Sequence, residues 1–191
     1  GNELALEDRK LAKMAFSTNN IYQIEFLSKK YKVRNFKKIN YSRLTSSEFA
    51  RIKSELLIKI DTIPISMILA QAIIESGWGS SRFAQEGNAL FGEWTWKNNQ
   101  GIKPRGNVNA DFAVKNFKNV LESLNSYILN LNRHSAYGEM REYRELQNKK
   151  NKIISGYEMA SFLENYAEIG FEYVKKVTNC LLYTSDAADE L

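Results

Sequence analysis

The chain has 191 residues, of which 43% are hydrophobic and 26% charged, a composition that suits one globular domain with a sizeable core and excludes a disordered tail. Two prolines, ten glycines, one cysteine and one histidine exclude collagen, Pro-rich linkers, a disulfide framework and any Cys- or His-rich zinc site. A formal charge of +5 implies an anionic partner without identifying it.

The chain opens on Gly1 rather than Met, and no apolar run reaches the length of a secretory core or a membrane span. The expectation is of a segment cut from a longer protein, with any signal or anchor upstream. Residues 1–44 are polar and basic, and they predict a helical extension or an arm packing on the body. Their Lys29-Lys30 and Lys37-Lys38 pairs read as a solvated face. Thr45-Ser46-Ser47-Glu48 is a capping-box pattern, and it opens a helix through Phe49, Ile52, Leu56 and Ile60.

After a break at residues 61–63, Pro64 suits the first turn of a second helix. That helix reads ISMILAQAIIES from Ile65 to Ser76, with Gly77 as its C′ residue. Being apolar almost all round, it is predicted to be central and buried. Between Gly87 and Lys115 the pattern changes to Gly, Asn and aromatic residues, and a short β-lobe or loop insertion is expected there. Helical periodicity returns from Val120 to Leu131 and continues through 137–146, 157–166 and the residues around Tyr173, Val174 and Val177. The fold class is mainly α (α+β), with one small β-lobe after the most apolar helix. No internal repeat or low-complexity block divides the chain.

The end of the chain breaks the pattern. Cys180 to Glu190 resembles, over eleven residues, the translation of a sequencing-transposon adapter. The tail 180–191 is therefore expected to be foreign to the fold. It carries the lone cysteine and three carboxylates, so 27 basic residues then face 19 acidic ones, a balance of +8.

Glu75 is the residue with chemistry in it. It shares a helical face with Ile68 and Ala72, where a carboxylate is partly desolvated, and it sits at the negative end of the helix dipole. Both effects favour the neutral acid and suit a general acid at near-neutral pH. Gln71, one turn earlier, could orient it. Position alone makes Glu75 a candidate and no more, since a Glu near a helix end is ordinarily solvated.

The stretch LAQAIIESGWGSSRFAQEGNALFGEW, residues 69–94, strongly resembles glycoside hydrolase family 73, the bacterial peptidoglycan N-acetylglucosaminidases, and within it the Bax-like branch. SYILNLNRHSAY (126–137) and NYAEIGFEYVKKV (165–177) match in the same order, so the resemblance covers roughly residues 46–179. It implies a lysozyme-like fold with residues 45–179 as the catalytic domain. Glu75 of ESGWG takes the place of the essential acid, which protonates the glycosidic oxygen leaving from N-acetylglucosamine.

The family's second acid has no clean match. Ala113 stands where the Bax-like pattern suggests Glu, leaving Asp111 or Glu93 as substitutes, or assistance from the substrate's own N-acetyl group. Tyr166 matches the family's Tyr-Ala/Ser motif and is expected to position substrate or to pack in the core. Trp94 and Trp96, alternating, would share one strand face suited to stacking on a sugar. Trp78 and Phe91 are expected chiefly to buttress the acid-bearing helix. Asn88 and Arg82 are expected to hold the loop, Tyr137 to line the cleft, and His134 to be a surface histidine at a helix end. The resemblance further implies a monomer in the cell envelope, in the periplasm, acting on peptidoglycan glycan strands with no metal, cofactor or nucleic acid. The alternatives are a related muramidase or lytic transglycosylase, or a glycan-binding scaffold that has lost its chemistry.

Overall fold

The computed structural model describes residues 1–96, 101–104 and 111–189, with side chains as far as Tyr183. The described elements are, in chain order, α1 (Asn2–Ser17), α2 (Ile21–Lys30), α3 (Ser46–Lys59), α4 (Ile65–Ser76), α5 (Arg82–Gly87), β1 (Trp94–Thr95), β2 (Gly101–Ile102), β3 (Ala113–Lys115), α6 (Val120–Arg133), α7 (Gly138–Lys149), α8 (Gly156–Ala160) and α9 (Phe171–Asp189). The expected mainly helical fold with one small sheet is present. Contacts group the chain into two compact units, Gly1–Ile63 with Ile128–Ile154, and Pro64–Tyr127 with Ser155–Leu191. The second boundary falls inside α6.

In the first unit the residues before Thr45 are helical and contribute to a core. The α1 face of Ala5, Ala12 and Ala15 is buried, and its small side chains let α2 and α3 approach closely. Ile24 and Leu27 of α2 meet Ile52 and Leu56 of α3, all fully buried. Each such side chain contributes about 2 kcal/mol of transfer free energy. The capping box is formed as expected: Thr45 Oγ1 accepts from Glu48 N at 3.2 Å, and Glu48 Oε2 accepts from Thr45 N at 2.9 Å. The other end of α3 is closed by a charge. Arg144 of α7, buried, donates to the carbonyls of Ile58 and Lys59 at 3.0 Å and of Thr62 at 3.1 Å, and to Asn132 Oδ1 at 2.8 Å. A cation there meets the carbonyls left without intrahelical partners. Burial pushes its guanidinium down to about 10, and nearby Asp61 opposes that.

In the second unit α4 packs against α8 and α9. Gly77 adopts φ +56, and the N–H groups of Gly77 and Trp78 bond the carbonyls of Ile74 and Ile73, closing α4 in the Schellman manner that the sequence predicts. The predicted all-round burial of α4 is not found. Met67, Ile68, Ala70 and Gln71 are buried, whereas Ile65 is 68% and Leu69 57% exposed. Its helical neighbours α8 and α9 leave that stripe uncovered, and its buried face includes a polar residue, Gln71.

The sheet has the order β1-β3-β2, antiparallel throughout, with Trp94 opposite Val114 and Gly101 opposite Lys115. Within the expected β-lobe or loop insertion, residues 97–100 and 105–110 lie outside the described residues. Two helical expectations change. The segment 157–166 is helical only to Ala160, then forms a 3₁₀ turn over Ser161–Leu163. Helix α9 runs on through residues 180–189, where Leu181, Leu182 and two alanines favour extension of a helix already nucleated.

Candidate active site

Glu75 occupies the last turn of α4 and is half-buried. Burial pushes its carboxyl above the ordinary range, against the opposing pull of a hydrogen bond from Tyr173 and the charge of Lys176. The bond from Tyr173 ends a buried relay. Tyr127 Oη donates to Gln71 Oε1, Gln71 Nε2 donates to Tyr173 Oη at 2.9 Å, and the Tyr173 proton is thereby directed to Glu75. One carboxylate oxygen is thus held from behind. Burial and the neighbouring Glu75 carboxylate push the Tyr173 phenol far up, so it stays a donor at any working pH.

Aromatic rings fix this relay. Tyr166 stacks on Tyr173 with centroids 5.2 Å apart, Phe91 stacks on Tyr127 at 3.9 Å, and Tyr127 meets Tyr166 edge-on at 6.2 Å. Tyr166 Oη donates to the Phe91 carbonyl at 3.1 Å, tying the loop before β1 to the relay. The next residue, Gly92, has φ +59, and a Cβ built there would lie 3.7 Å from Glu75 Oε2. The loop backbone therefore passes beside the acid, and glycine supplies the left-handed conformation it needs there.

Gln71 is placed differently from the direct orienting contact expected. It is fully buried with both amide atoms engaged, so it reaches Glu75 through Tyr173 and presents no surface to a sugar. Phe91 is buried in the ring stack, as a buttress. Trp78, expected as a buttress, is instead 80% exposed at φ +58, because the turn that closes α4 projects its ring outward. Trp94 and Trp96 are both exposed and pack edge-on with centroids 6.4 Å apart, while Trp94 stacks on Phe112 at 4.8 Å. Asn88 and Arg82 hold the loops. Asn88, at φ +51, donates to the Phe117 carbonyl at 3.0 Å, and Arg82 donates to the Lys103 carbonyl at 2.5 Å.

The candidate second acids differ in setting. Glu93 directly follows Gly92, and its Oε2 accepts from Ser126 Oγ at 2.8 Å, with Lys115 Nζ at 2.8 Å from the same hydroxyl. Asp111 is exposed ahead of β3 and makes no ion pair with a described residue. Tyr137 and His134 fall in the first unit. Tyr137 is buried, which pushes its phenol up to about 12, and its ring lies against that of His134 at 5.9 Å. His134 is exposed just after α6, as expected. Among the described residues no group of three His, Cys, Asp or Glu side chains could hold a metal ion, and no helix is long and apolar enough to cross a membrane.

The sequence pattern of the family described as glucosaminidase, mannosyl-glycoprotein endo-β-N-acetylglucosaminidase, matches residues 50–182. The chain belongs to the glucosaminidase family. The match embraces Glu75, the whole relay and the sheet. Such glucosaminidases are glycosidases, and a half-buried acid above its ordinary pKa is what that chemistry asks for. Protein bax of Escherichia coli (strain K12) is 32% identical over 154 residues, covering 79% of this chain and 50% of the relative. The chain thus spans about half the length of the curated relative it matches. No solved structure is a significant match. Tyr173 and Tyr127 stand 102 and 56 positions from Gln71 and are not legible as site residues in the sequence. Their only sequence signal is presence in matched segments, and nothing local pairs them with Gln71.

Proposed function

We propose that this glucosaminidase hydrolyses the β-1,4 bond after N-acetylglucosamine in bacterial peptidoglycan, with Glu75 as general acid and residues 45–179 as the catalytic domain. The observation that carries the reading is the setting of Glu75: half-buried, raised in pKa, and fixed from behind by Tyr173. The protonated carboxyl gives its proton to the leaving glycosidic oxygen as the sugar gains oxocarbenium character. The exposed Trp94 and Trp96 offer apolar faces on which sugar rings stack. The developing positive charge is met by Glu93, by Asp111 or by the substrate's own N-acetyl oxygen. Tyr166 is a positioning residue, since its hydroxyl holds the loop that flanks the acid. The basic balance of the chain suits a wall polymer bearing carboxylates, and the setting we propose for it is the cell envelope, in the periplasm.

Digestion of purified sacculi by the unaltered protein and by Glu75→Gln tests the reading. Release of soluble glycan that falls at least a thousandfold in the variant, with sacculus binding retained, supports it. Binding without release by the unaltered protein would make the chain a scaffold and overturn the reading.

A further inference from the structure

The first unit holds a cavity of about 750 Å³ whose lining includes neither Glu75 nor any residue of its relay. Six cationic side chains and two carboxylates line it, contributed by the turn after α2, by α3, by the end of α6 and by α7. Several of these charges are already used inside the protein. Lys59 donates to the Lys32 carbonyl at 3.1 Å and pairs with Glu55 at 3.6 Å. Arg141 donates to the carbonyls of Leu131 and His134 at 2.7 and 2.8 Å, and Arg51 pairs with Glu55 at 3.4 Å.

The remaining charges are not neutralised. Lys32, Arg34 and Arg133 form no ion pair with a described residue, and Arg133 Nε is buried without an acceptor. Lys32 also keeps a left-handed backbone, φ +49, that a non-glycine residue adopts at a cost. Glu142, an exposed carboxylate on the same wall, likewise forms no ion pair with a described residue. Clustered unpaired cations repel one another unless an anion joins them. Partial burial, and after it the charges of Lys32, Arg141 and Arg133, depress the proton affinity of His134, and that ring's Nδ1 accepts from Ala136 N at 3.2 Å. Its Nε2 is therefore a further donor.

We propose that this cavity is a binding site for a short acidic peptide, which sets two or more carboxylates against Lys32, Arg34 and Arg133 and its amino group against Glu142. The size and the charge pattern select that class. A single inorganic anion is far smaller than 750 Å³. A phosphodiester strand needs a basic track along its length, and this wall carries carboxylates among its cations. A peptide of two to four residues matches the volume, and its mixed charges match both signs on the wall. The proposal stands independently of the reaction proposed for Glu75.

Calorimetric titration of the full chain with triglutamate at low ionic strength tests it, beside triglutamine and tripolyphosphate. The expected result is saturable one-to-one binding of triglutamate, with triglutamine at least tenfold weaker. Both Lys32 and Arg34 are exposed. Lys32→Gln with Arg34→Gln should therefore keep the thermal midpoint while weakening triglutamate at least tenfold, and Glu75→Gln should leave it unchanged. In the unaltered protein, amide NMR shifts on titration should concentrate at 32–34, 51–59 and 133–142. No saturable binding, equal binding of triglutamine, tighter binding of tripolyphosphate, an unaltered affinity in the double variant, or shifts centred elsewhere would each overturn the proposal.

Discussion

At the residue scale, Glu75 carries two opposed demands. Burial raises its carboxyl pKa, and Tyr173 draws it back while fixing its direction. A general acid works only while protonated, so activity should fall on the alkaline side as pH passes the raised pKa. Tyr173→Phe removes the bond that favours the anion. Its alkaline limb should move to higher pH, while kcat/KM at the optimum falls roughly tenfold through lost positioning. A pH–rate profile of both proteins reads the two effects separately. A merely structural role for Tyr173 would lower activity without moving the limb.

The same shift makes Glu75 a cost to stability. An acid whose folded pKa exceeds its unfolded value has its full stability below the unfolded pKa and loses it as pH rises through the folded one. The native protein should thus lose stability from this group between the ordinary carboxyl value of 4.5 and the raised one. Glu75→Gln, which cannot ionise, should unfold at higher temperature than the native protein at pH 7 and lose that advantage near pH 4. Thermal melts at the two pH values measure it, and an equal or lower midpoint at pH 7 would contradict it.

Among the elements, two closures invite substitution. Gly92 combines φ +59 with an approach to Glu75 Oε2. Gly92→Ala should cost about 1 kcal/mol of stability for the left-handed backbone and lower activity at least as strongly, because the methyl lies beside the acid. Denaturant unfolding and sacculus turnover, compared on the same preparation, separate the two. At the end of α3, Arg144→Met strands the carbonyls of Ile58, Lys59 and Thr62 and the Asn132 amide. A loss of about 3 kcal/mol or more is expected in urea unfolding.

What the sequence discloses also depends on scale. The Thr45 capping box and the Gly77 closure of α4 are local, fixed by residues within one turn, and both are found where the pattern puts them. Glu75 is legible because ESGWG is a contiguous motif. Tyr173 and Tyr127 are not, since their relay joins three helices far apart in the chain. The outward ring of Trp78 escapes notice for another reason. Aromatic composition suggests burial, while the turn geometry at φ +58 decides against it. Exposure of Ile65 and Leu69 likewise depends on which faces of α4 find neighbours, which periodicity cannot say.

On the scale of the whole molecule, the chain belongs to the glucosaminidase family and forms two compact units. The second contains the acid, the relay that holds it and the sheet with the exposed tryptophans; the first contains the basic cavity. The family assignment gives glycosidase chemistry, and the specific bond is the central proposal. The measurement that reaches it most directly is mass spectrometry of the ends released from sacculi. Fragments with N-acetylglucosamine at the reducing end are expected, absent with Glu75→Gln. Reducing ends of N-acetylmuramic acid, or 1,6-anhydro ends, would contradict it and identify a muramidase or a lytic transglycosylase instead.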